Sequence, residues 1–101
     1  MSKEVAFKNR DRFIQLGITV ATLRRLRGYS QETLAERAGI SRTLLSFIEA
    51  PGLVKGFSME VFFDLADALN VDPIEMLKAS LIPDSLIDGT KKDETTVLKK
   101  N

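Results

Sequence analysis

Between residues 10 and 81 apolar side chains recur every three or four positions, and nowhere do they alternate with polar ones over the length of a strand. That is the period of helices laid on a core. The first such run spans residues 10–27, with Phe13, Leu16, Gly17, Val20, Leu23 and Leu26 as its stripe and Ile14, Ile18 and Ala21 widening it. Asn9 is placed to cap it and Gly28 to end it, with Tyr29 packing at the start of the next helix. Ser30 then caps a short helix that begins at Gln31, turns Leu34, Ala35 and Ala38 inward, and stops at Gly39. Ile40 is the apolar plug of a tight turn, and Ser41 caps a third helix. At ~100° per residue, Leu45, Ile48 and part of Leu44 face inward there, while Thr43, Ser46, Phe47 and Ala50 fall on the opposite side. Pro51, with no N–H to donate, stops it. After the loop PGLVKGF, Ser58 caps a fourth helix with the stripe Phe62, Leu65, Ala66 and Leu69, closed by a left-handed Asn70 and the apolar Val71. Asp72-Pro73-Ile74-Glu75 is a helix start of capping acid, first-position proline and capping-box glutamate. The fifth helix is expected to turn Ile74, Leu77 and Leu81 inward. Every segment reads as helix, so the fold class is all-α, a compact five-helix arrangement.

Helices as short as the second and third are not stable alone in water. Their inner stripes must be covered by the other three. The third helix is then left with an outer face held on a supported platform, the geometry of a helix-turn-helix whose second helix enters a DNA major groove. One domain over residues 9–81 follows, with an N-terminal arm before it. Residues 82–101 form a polar, charged tail, either disordered or docked on this chain or a partner subunit through Leu86, Ile87, Val97 or Leu98.

Composition narrows the function. The 101 residues contain no Cys and no His. Thiolate metal sites and the usual general base are missing, and no glycine-rich phosphate loop or carboxylate constellation takes their place. No enzyme, no cofactor and no metal are therefore expected. The N-terminus is charged and no apolar run approaches the ~20 residues of a membrane span, so a cytoplasmic protein with no membrane partner is expected. The net charge of +1 hides an asymmetry. Up to Lys55 there are ten basic and five acidic residues, beyond it five basic and nine acidic, a front half of +5 and a back half of −4. A basic front half that carries the helix pair suits a polyanion; a solvated surface with chance asymmetry explains the charge alone equally well.

The segment LRRLRGYSQETLAERAGISRTLLSFIE, followed by DLADALNVDPIEML, resembles the Cro and phage-repressor (XRE-like, lambda-repressor-like) helix-turn-helix family over residues 14–79. The most specific part is SQ-x-x-LA-x-x-AGIS with Leu45, Ile48 and Glu49 at matching spacing, where caps, apolar positions and turn agree together. The resemblance implies that Gln31 hydrogen-bonds a DNA phosphate, that Ser41, Arg42, Thr43, Ser46 and Phe47 face the groove, and that Arg24 and Glu49 form an internal salt bridge. The sequence departs from the family at Phe47, where polar or basic residues are common, and in the longer loop of residues 50–57, which keeps only Lys55 as a phosphate contact. Arg42 is the first candidate to read a base, with a phosphate as the rival contact. Thr43 suits a base edge or a thymine methyl, and Ser46 a phosphate or water. Phe47 packs either on a thymine methyl or against Leu53 or Phe57. The reading that results is a sequence-specific double-stranded DNA-binding transcriptional regulator, expected to act as a repressor. It reads a palindromic operator as a homodimer through residues 42–49, with Val61, Phe63 and the tail as candidate interface. The alternative is a protein-interaction module on the same fold, using Phe47 and the apolar loop, or an antitoxin that binds a protein partner through the tail.

Overall fold

The computed structural model describes residues 9–52 and 56–80. Over them run five helices, α1 (Arg10–Leu26), α2 (Gln31–Ala38), α3 (Arg42–Glu49), α4 (Met59–Ala68) and α5 (Pro73–Ser80). No strand occurs among the described residues. The arm, the tail from residue 81 onward, and Leu53 and Lys55 in the loop lie outside them.

Local chemistry sets most helix ends. The hydroxyls of Ser30, Ser41 and Ser58 accept hydrogen bonds from the backbone N–H of Thr33, Leu44 and Val61 at 3.0–3.1 Å, and the Asp72 carboxylate accepts from Ile74 N–H at 2.7 Å. Each satisfies a donor the helix cannot use. Three helices stop by one device. Gly28, Gly39 and Asn70 take φ of 77°, 72° and 56°. The N–H of the next residue (Tyr29, Ile40, Val71) then donates to the carbonyl of Arg24, Ala35 and Ala66 at 3.0 Å. The left-handed residue folds the chain back and drops an apolar side chain onto the core; Tyr29, Ile40 and Val71 all pack against it.

That core is one cluster: Leu16 and Val20 of α1, Leu34, Ala35 and Ala38 of α2, Leu45 and Ile48 of α3, Phe62, Leu65 and Ala66 of α4, Leu69, and Met76 of α5. α1 packs on α3 and α5, and α2 on α3 and α4. The helix pair α2–α3 is thus backed by α1 and α4, and α5 braces those two in turn.

The structure corrects the expected inner faces of α1 and α5 and the expected cap of α1. On α1 the stripe does not continue through Leu26, which is 74% exposed, and Ile18 is exposed as well. Counting three or four residues on from Val20 lands on Arg24 and Arg27, whose guanidiniums hydrogen-bond inward. On α5, Ile74 (67% exposed) and Leu77 (40%) face outward, and Met76 and Ser80 are buried. Ser80 is tolerated there because its hydroxyl donates to the Met76 carbonyl at 2.7 Å. Asn9 makes no side-chain cap; its Oδ1 accepts from Arg12 instead. Glu75 pairs with Lys78 across one turn at 3.6 Å.

Candidate nucleic-acid interface

The turn between α2 and α3 needs only Gly39, Ile40 and Ser41. Gly39 supplies the left-handed backbone, Ile40 fills the gap, and Ser41 starts the next helix. α3 then splits cleanly: Leu45 and Ile48 are buried and Leu44 half-buried, whereas Ser41, Arg42, Thr43, Ser46 and Phe47 are exposed. The five groove-facing positions expected from the sequence therefore share one solvent-facing surface. Phe47, 36% exposed, sits at its far end.

Behind this surface lies a polar clamp. Arg24 Nε donates to Glu49 Oε2 at 2.9 Å and its Nη2 to Oε1 at 3.0 Å, while Nη1 donates to the Tyr29 carbonyl at 2.9 Å. The side chains of Arg24 and Glu49 are 11% and 4% exposed. A carboxylate in the last turn of a helix opposes the helix dipole; the two-pronged guanidinium offsets that and ties α3 to α1. Gln31, half-buried at the first position of α2, joins the clamp, its Nε2 donating to Glu49 Oε1 at 2.9 Å.

Two further residues hold the platform and were not singled out in the sequence. Gly17 lies so close to α3 that a Cβ there would fall inside the Ile48 carbonyl oxygen. Its place in the α1 stripe was visible, but not its need to be the smallest residue. Arg27 donates from Nε to the Leu69 carbonyl at 2.8 Å and from Nη2 to the Asn70 carbonyl at 3.3 Å. It thereby satisfies carbonyls at the end of α4. Arg37 stacks over the Tyr29 ring, 4.6 Å from its centroid. Much of the basic front half is thus engaged within the fold. The side chains of Arg25 and Arg42 are exposed and make no hydrogen bond among the described residues.

The sequence profile of the helix-turn-helix family HTH_3 matches residues 20–76, which contain α2, the turn, α3 and α4 entire. No curated protein matches the chain. Among solved structures, the restriction-modification controller protein C.AhdI from Aeromonas hydrophila is 31% identical, with a TM-score of 0.59 over 63% of this chain and 94% of its own. The clp gene regulator ClgR from C. glutamicum is 25% identical, with a TM-score of 0.62 over 68% of this chain and 87% of its own. The hypothetical transcription factor NHTF from Neisseria, at 23% identity, shares the fold with a TM-score of 0.62 over 89% of this chain and 98% of its own. Among the described residues no helix is long and apolar enough to cross a membrane. With its profile match covering more than half of the chain, the protein belongs to the Cro and phage-repressor type (XRE-like) of helix-turn-helix DNA-binding transcription regulators.

Proposed function

We propose that the protein is a sequence-specific repressor that reads the major groove with the outer face of α3 and binds a palindromic operator as a homodimer. The observation that carries the reading is the exposed row Ser41, Arg42, Thr43, Ser46 and Phe47 on a helix whose other side is locked into the core. The Arg42 guanidinium makes no hydrogen bond among the described residues, so both of its prongs are available to guanine O6 and N7. Thr43 and Phe47 offer methyl and ring contact to thymine. Ser46 and the backbone N–H groups at the starts of α2 and α3 supply phosphate contacts, as does Lys55 in the loop.

The dimer reading is supported by apolar surface away from α3. Met59 and Phe63 on α4 are 62% and 46% exposed, and Ile74 and Leu77 on α5 are 67% and 40% exposed. Met59 and Leu77 line one apolar groove with Phe13, Leu16, Phe57 and Phe62. Val61, expected in this interface from the sequence, is half-buried and packs against the core, so Phe63 keeps that role alone of the two. A second copy placing α3 in the next half-site, about one helical turn (~34 Å) away, would double the base contacts.

The test is alanine substitution of Arg42 measured on a sequence selected by the wild-type protein. The expected loss is about 1–3 kcal/mol of binding, concentrated at one base pair of each half-site. A uniform loss on every sequence would make Arg42 a phosphate contact. No loss for Arg42→Ala, Thr43→Ala and Phe47→Ala together would remove α3 as the reading element.

A further inference from the structure

Apolar side chains from α1, α4, α5 and the loop before α4 meet in one groove. Leu16 and Phe62, both buried, form its floor, and the exposed Met59 and Leu77 stand at its mouth. Phe13 and Phe57 make one wall, their rings edge to face at 5.4 Å. The groove holds about 120 Å³, the space of one aliphatic side chain. Its lining offers water few partners and favours an apolar guest. A second copy of the chain is a poor fit to the groove alone, since a stable interface buries about 800 Å² per partner. Phe63 and Ile74 lie outside the lining and stay open to the second copy proposed above.

We infer that the guest is this chain's own tail, anchored by one of the neighbours Leu86 and Ile87. Leu77 is on the rim of the groove, and Ser80, about one turn on, is 1% exposed. The chain therefore leaves α5 from a buried point beside the groove, not from a frayed tip. Ile82-Pro83-Asp84-Ser85 follows. Pro83 cannot extend the helix and holds Ile82 to extended backbone, and Pro-Asp at the centre of four residues marks a turn. Such a turn brings its ends within about 7 Å of each other. Leu86 then returns to the level of the last turn of α5, where Leu77 stands. Consecutive residues of an extended chain point to opposite sides, so one of Leu86 and Ile87 faces the groove. A single buried side chain is too weak to hold a separate partner, but a tether of a few residues supplies an effective concentration on the order of millimolar.

The chain has no cysteine, so a single one can carry a nitroxide spin label. Asp88→Cys places the label beside the anchor and leaves the groove intact. The readout is the loss of amide signals in the full-length, isotopically enriched chain without DNA. The expected result is loss centred on the groove, at Phe13, Phe57, Met59 and Leu77, and its recovery when Leu86→Asp and Ile87→Asp are added. Thermal unfolding confirms that each variant is folded. A mixture of labelled, unenriched chain with enriched, unlabelled chain reads contacts between copies, and the loss at the groove should be weaker there. A loss as strong in the mixture, once scaled for the share of mixed pairs, overturns the inference and gives the groove to the tail of a second copy. A loss spread evenly over the surface, or one that survives the two aspartates, overturns it as well.

Discussion

Arg24 and Glu49 are the residues on which the interface is most sensitive to a single change. The pair is nearly sealed from water, at 11% and 4% exposure, so removing one partner leaves a buried charge uncompensated. Arg24→Met is expected to cost about 3–5 kcal/mol, a large share of a small domain's stability, read from the midpoint of a urea transition. A loss below about 1 kcal/mol, the value of an exposed pair, would mean that water reaches Glu49. At this scale the sequence was partly legible. The spacing of Arg24 and Glu49 matched a family pair, and both directions of α3 followed from its 100° step. The bond from Gln31 to Glu49 was not legible, because it depends on side-chain torsions at the meeting of three helices and no periodicity encodes it.

Among the elements, the contact of α1 with α3 is the one that fixes the platform. Alanine normally improves a helix by about 1 kcal/mol over glycine. At Gly17 the new Cβ would run into the Ile48 carbonyl, which is backbone and can yield only if α3 moves. Gly17→Ala is therefore expected to lose about 1–3 kcal/mol in denaturant unfolding and to weaken DNA binding further through the displaced α3. A more stable variant would show that the two helices are not packed this tightly. Ser41→Ala, which removes the cap of α3, should cost about 1 kcal/mol. Helix ends were the most legible feature of the sequence, since Gly28, Gly39, Asn70 and the capping serines act on their own few residues. The faces of α1 and α5 were less so. Arginine at 24 and serine at 80 hold inward positions because each finds a hydrogen-bond partner there, Arg27 reaches from the exposed end of α1 to carbonyls at the end of α4, and a pattern of apolar residues alone points to Leu26, Ile74 and Leu77 instead.

For the molecule as a whole, two surfaces stand apart: the outer face of α3, and the apolar face of α4 and α5. On α4, Asp67 lies one turn beyond Phe63, and Glu60 and Asp64 follow round the same side. A pair of copies meeting there brings acidic rims together, while the DNA face meets phosphates. Salt should accordingly strengthen the dimer and weaken the complex with DNA, opposite trends that sedimentation and binding titrations can follow on one sample. Leu77→Asp should yield a monomer whose affinity for a single half-site is unchanged and whose affinity for the paired site drops; a variant that stays dimeric would move the interface elsewhere. The most direct test of the account is selection of duplexes from random DNA by the purified protein, run beside the variant carrying Arg42→Ala, Thr43→Ala and Phe47→Ala. The account predicts that the wild type enriches two related half-sites about one helical turn apart and that the variant enriches neither. Enrichment of the same sequence by both proteins would contradict it.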